Sequence, residues 1–134
     1  MSRRLLALIA LALVAVFAVA ACDSGEASGD PGAYTVKAEK AVEMIEAGDR
    51  TIIDVRSPAE YAEAHVAGAL NIDVDGADFE ARIAELDPET PYLVYCRSGN
   101  RSARAAAQME DAGIKDIADA GGLADLARAG APVE

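Results

Sequence analysis

Between residues 34 and 129, short apolar runs of strand type alternate with segments whose apolar residues recur at helical spacing, and that alternation constrains the fold most. A β-like stretch at residues 34–36 leads into Ala38, Ala41, Val42 and Ile45, which repeat at helical spacing and stop at Gly48, a residue suited to a C-cap. Residues 51–55 are a β-branched apolar run with the pattern of a buried strand. Ser57 then caps a helix, Pro58 fits its first position and Glu60 stands three residues after the cap, which together predict a capping box. Residues 70–74 predict a further short strand, and Phe79, Ile83 and Leu86 a helix ending before Asp87 and Pro88. Residues 92–95 predict the next strand, residues 102–111 an alanine-rich helix stopped at Gly113, residues 114–118 a last strand and residues 123–129 a last helix. Alternation with short links predicts an α/β architecture, a central parallel sheet of about four to five strands covered by helices on both faces.

The chain is 134 residues long, and its start does not fit this pattern. Arg3 and Arg4 precede an apolar run at residues 5–21 and then Cys22. A basic start, an apolar core and small residues before a cleavage point predict a signal peptide over residues 1–21. Val19, Ala20, Ala21 and Cys22 resemble the bacterial lipoprotein box, which implies lipidation at Cys22. The competing expectation is an uncleaved N-terminal anchor; the small pair before Cys22 and the polar stretch after it favour cleavage. Either one places the domain outside the cytoplasm on a membrane tether. Residues 22–32 are rich in Gly, Ser and Asp and predict that flexible tether, which leaves residues 33–134 as one domain.

Removing residues 1–21 takes away Arg3 and Arg4 and no acid, so the net charge of −11 becomes −13. Such a field opposes nucleic acid and anionic lipid surfaces as partners. It also makes any local cluster of arginines informative. With Cys22 lipidated, Cys96 is the single thiol left and cannot form a disulfide within the chain. An unpaired thiol in an oxidising compartment is either buried and inert or in use.

Its context favours use. Cys96 ends the strand expected at residues 92–95, directly before a helix, and in such sheets ligands bind beyond the carboxyl ends of the strands. The sequence there is CRSGNR, with Arg97, Ser98, Gly99, Asn100 and Arg101 following Cys96. A loop entering a helix can turn its backbone N–H groups inward and cradle an anion. Gly99 supplies backbone freedom and Asn100 tolerates left-handed geometry. A cysteine at such a place has its thiolate favoured, and the thiolate needs no separate base to attack. The guanidinium groups of Arg97 and Arg101 suit an anionic substrate. Two thiolate chemistries use cradles of this kind. Phosphate-ester cleavage pairs a cysteine with an arginine six residues on, but position 102 is serine and the arginine stands at 101. The smaller loop suits a single extra sulfur atom, a persulfide, better than a phosphoryl group.

The loop CRSGNRS resembles the active-site loop of the rhodanese family. The upstream stretch IDVRSPAEYAEAHVAGALNI is similar to that family's signature, with Asp54, Val55, Arg56, Glu60, Tyr61, His65, Gly68 and Ala69 in order and spacing. The closing AGGLADLARAGAPVE is similar to the family's Gly-Gly helix and end, although Leu126 stands where many members have tryptophan. The resemblance implies a rhodanese-like three-layer α/β/α fold and a sulfurtransferase. Cys96 would take a sulfane sulfur from thiosulfate or a similar donor and pass it to a thiol or cyanide acceptor. It also implies that the N–H groups of residues 97–101 stabilise the persulfide. The competing functions are a persulfide carrier serving an unknown protein acceptor and, behind it, a phosphatase or arsenate reductase of related fold.

Asp54 and Arg56, which end the strand before the capping box, are expected either as part of the pocket wall or as an ion pair holding the loop. His65, the only histidine, is expected to be structural, and Arg104 a solvated surface residue. No cluster of His, Cys or carboxylates has metal-ligand spacing, so neither metal nor cofactor is expected.

Overall fold

The computed structural model describes residues 31–134. The signal peptide expected at residues 1–21, Cys22 as the lipidation site and residues 22–30 of the tether lie outside the described residues. No helix among the described residues is long and apolar enough to cross a membrane.

Ten elements alternate along the chain: β1 (Gly32–Thr35), α1 (Ala38–Ala47), β2 (Thr51–Asp54), α2 (Pro58–Glu63), β3 (Leu70–Asn71), α3 (Phe79–Ala84), β4 (Tyr92–Cys96), α4 (Asn100–Asp111), β5 (Asp116–Gly122) and α5 (Leu123–Ala129). The five strands form one sheet in the order β1-β5-β4-β2-β3, and every pairing is parallel. Side chains alternate across a strand, and β4 uses both faces for core. Tyr92, Val94 and Cys96 pack with Phe79 and Ile83 of α3 and Ala105, Ala106 and Met109 of α4. Leu93 and Tyr95 pack on the other face with Ala41 and Val42 of α1 and Leu126 of α5. All five residues of β4 are buried, as a central strand of a doubly covered sheet should be. The architecture is three-layered α/β/α.

The helix ends follow local chemistry. Gly48 takes a left-handed conformation (φ 70°) and donates its N–H to the carbonyls of Met44 and Ile45. The expected capping box is present at α2: Ser57 accepts from the Glu60 N–H, and the Glu60 side chain accepts from the Ser57 N–H. Gly113 closes α4 by donating to Glu110, while the Ile114 N–H returns to Met109 (3.1 Å).

Two expected strands differ. β3 pairs over Leu70 and Asn71 only; Ile72 and Val74 turn inward, donating to the carbonyls of Asp54 and Val55. The last strand begins at Asp116, because Ile114 serves as a core plug in the link from α4, and it runs on to Gly122. The polar Asp119 and the glycine pair hid this extension. There the β4–β5 register slips: Val94 pairs with Asp119 but Cys96 with Gly122, so β5 carries one extra residue. The slip sets Gly122 beside the cysteine. Leu126 is fully buried and fills the place where the family often has tryptophan.

Candidate active site

The carboxyl ends of three adjacent strands meet at one edge: Asp54 from β2, Cys96 from β4 and Gly122 from β5. Cys96, the free cysteine of the described residues, is fully buried. Gly99 takes a positive φ of 103° as the N-cap of α4, which bends the loop back over the sulfur. Its N–H donates to Cys96 Sγ at 2.9 Å. Asn100 is the first residue of α4, so the left-handed position expected there belongs to Gly99 alone.

Ser102, absent from the residues proposed on sequence, touches the sulfur directly. It is fully buried, its Oγ lies 3.6 Å from Sγ, and its hydroxyl donates to the Gly99 carbonyl at 3.0 Å. Side chains in a helix's first turn lean back toward its N-terminus, so a serine six residues after the cysteine was the available signal. Burial pushes the Cys96 thiol up, but the Ser102 hydroxyl and the N–H groups of Ser102, Gly99 and Ser98 more than offset it and bring the thiol below its ordinary value. These N–H groups at a helix start are the physical substance of an anion cradle.

The glycine pair supports the loop from beneath. A Cβ on Gly122 would lie 2.5 Å from the Arg97 carbonyl oxygen and 3.2 Å from Ser98 Cα. Gly121, in the irregular stretch of β5, has φ 76° and donates to Asp119 at 3.1 Å. Only a residue without a side chain at 122 lets the loop seat this closely.

The arginines divide sharply. Arg56 and Asp54 form a buried pair (2.7 Å), and Asp54 also accepts from the Tyr95 hydroxyl at 2.8 Å. The Tyr95 oxygen in turn accepts from the Val66 N–H, and Arg56 donates to the Ala64 carbonyl. Arg56 also reaches the edge of a cleft, so the ion-pair expectation holds without excluding the wall. Arg101, expected to hold substrate, is gripped by Glu60 through two hydrogen bonds of 2.8 Å. Arg104 pairs with Asp75 on the surface. Arg97 is exposed and, among the described residues, makes no side-chain hydrogen bond or ion pair. Of the four arginines near the loop, Arg97 is therefore the one whose guanidinium is unengaged.

The loop stands between two clefts. One, of about 480 Å³, is lined by Arg97 and Arg56 together with Leu123, Ala127 and Val133. The other, of about 450 Å³, is lined by Ser98, Gly121, Gly122 and Lys37. His65 takes no part in this geometry. Its ring stacks on Tyr61 (3.7 Å between centroids), and its backbone exchanges hydrogen bonds with Glu134, fastening the C-terminus.

Residues 37–127 match the family described as Rhodanese-like domain. The chain belongs to that family. The rhodanese-like chain is 35% identical over 97 residues to the thiosulfate sulfurtransferase GlpE of Pseudomonas putida, covering 72% of this chain and 86% of that protein. It is 36% identical over 75 residues to the thiosulfate sulfurtransferase PspE of Escherichia coli, covering 56% of this chain and 72% of that one. Among solved structures, the rhodanese-like domain of the Anabaena protein Alr3790 superposes with a TM-score of 0.67 at 26% identity, covering 75% of this chain and 77% of that one. These relatives support sulfur transfer as the general activity.

Proposed function

We propose that this rhodanese moves a sulfane sulfur from thiosulfate, or a donor like it, to a thiol or cyanide acceptor through a persulfide on Cys96. The Cys96 thiolate attacks the outer sulfur of thiosulfate. A bond forms between the two sulfurs, the sulfur–sulfur bond of the donor breaks, and its electron pair leaves with sulfite. The acceptor nucleophile then attacks the outer persulfide sulfur and the electron pair returns to Cys96. Cyanide leaves as thiocyanate.

The observation that carries this reading is the Gly99 N–H lying 2.9 Å from Sγ, with the neighbouring N–H groups of Ser98 and Ser102 also favouring the thiolate. Donors fixed around a small anion stabilise the thiolate and, one bond further out, the terminal sulfur of a persulfide. Arg97 is the group that meets the donor's sulfonate end, since Arg56, Arg101 and Arg104 each have a carboxylate of their own. A phosphatase reading fares worse, because the arginine that closes the loop is turned to Glu60.

The export reading joins this one as a proposal: a signal peptide at residues 1–21, a lipid on Cys22 and a tethered extracytoplasmic domain. A mature N-terminus found at Met1, without lipid, would overturn it.

The function is tested by steady-state formation of thiocyanate from thiosulfate and cyanide. Repeated turnover identifies an enzyme. A single equivalent, formed once and not again, identifies a persulfide carrier serving a protein acceptor. No transfer at all contradicts the proposal.

A further inference from the structure

Arg101 occupies the second position of α4, immediately before the serine that touches the sulfur, yet both of its terminal nitrogens donate to Glu60. The carboxylate that holds it is itself fixed. Glu60 Oε2 accepts from the Ser57 N–H at 3.2 Å and from the Ser57 hydroxyl at 3.0 Å, so the capping box of α2 holds it independently of Arg101. Both side chains are about three-quarters covered, unlike the solvent-exposed Arg104–Asp75 pair. The charged groups that bear on Arg101 are Glu60, the Cys96 sulfur and Asp75, and Asp75 is engaged with Arg104. An Arg101 released from Glu60 would thus have the sulfur as its remaining unsatisfied counter-charge.

We infer that Glu60 is a positioning residue for sulfur transfer: by clamping Arg101 it restricts how closely a second guanidinium approaches the thiolate and the anionic donor. This rests on the sulfurtransferase reading of Cys96. Two consequences follow from keeping it away. A thiolate stabilised further by a neighbouring cation is a weaker nucleophile, because nucleophilicity falls with the thiol's pKa. A second cation would also hold both the thiosulfate and the departing sulfite more tightly, and binding that is equal before and after reaction lowers KM without raising kcat. The clamp leaves donor binding to Arg97 and lets product leave.

Glu60→Gln tests this, because a glutamine can still accept from the Ser57 N–H and preserve the start of α2. The rate of iodoacetamide alkylation against pH reports the thiolate midpoint without any sulfur donor. In Glu60→Gln that midpoint is expected to fall, with KM for thiosulfate lowered about threefold and kcat lowered too. Arg101→Gln, which leaves Glu60 uncompensated, shifts the midpoint up and raises KM. The double variant returns the midpoint to that of the unaltered protein. A pair that merely fastened the loop would give a higher KM in Glu60→Gln with the midpoint unmoved or raised, and that result overturns the inference. Failure of the double variant to restore the midpoint overturns it equally. If the unaltered protein transfers no sulfur, the functional reading falls instead, and the alkylation midpoints still decide the role of Glu60.

Discussion

The ends of β2 and β4 lie side by side in the sheet, each feeding a helix, and they use polar residues in opposite ways. At the end of β2 each charge has an internal partner: Asp54 with Arg56 and Tyr95, Arg56 also with the Ala64 carbonyl, Glu60 with Ser57 and Arg101. At the end of β4 the backbone N–H groups converge on one sulfur, and Arg97 stands without a side-chain partner among the described residues. The first region is saturated and fixes geometry; the second has capacity left for a ligand. Three of the four arginines nearby are each engaged by a carboxylate, and Arg97 is the one left open.

The contrast breaks most visibly at Asp54. Asp54→Asn leaves the Arg56 guanidinium buried without its counter-charge, and a buried pair that loses one partner costs about 3–5 kcal/mol. Urea unfolding should show that loss. If stability moves by less than about 1 kcal/mol, the network is not the support described. Gly122→Ala strikes the other strand end. Its methyl would meet the Arg97 carbonyl oxygen, so the loop must shift. Misplacement of a reacting group by this much lowers kcat/KM roughly 10–100-fold. A Gly122→Ala protein with normal sulfur transfer would show that the loop tolerates displacement.

Arg97→Gln removes the one unengaged guanidinium of the four and disturbs no internal pair. KM for thiosulfate should rise about tenfold, the scale of one charge-assisted hydrogen bond, with kcat changed little. An unchanged KM would assign donor binding elsewhere. The smallest effect concerns acid stability. Hydrogen bonds from Arg101 hold the Glu60 carboxyl down, against a smaller upward push from burial, from an ordinary value of 4.5 to about 2. A carboxylate with a depressed folded pKa adds stability that is complete above its ordinary value and disappears as pH falls through the folded one. Unfolding measured from pH 5 to 2 should therefore steepen in the unaltered protein and flatten in Glu60→Gln. Identical profiles would mean that the clamp adds nothing.

Much of this was legible beforehand. The continuous apolar run at residues 92–95 and the helical spacing after Gly99 placed Cys96 at a strand end, and the capping box of α2 was written in Ser57, Pro58 and Glu60. What escaped were long-range partnerships. Glu60 read as a local cap because nothing in the spacing of residues 60 and 101 shows that their side chains meet. Ser102 read as ordinary helix because its fit against the sulfur depends on the turn at Gly99. The extension of β5 through Asp119 to Gly122 escaped because a polar residue and two glycines carry no strand signal, while register with β4 holds them there.

The central claim, that the β4 end is a cradle for one sulfur on Cys96, is tested most directly by intact mass after incubation with thiosulfate. The expected result is a gain of one sulfur atom, lost on adding cyanide and absent from Cys96→Ser. A mass that does not change, or a cyanide-labile adduct that persists in Cys96→Ser, would contradict it.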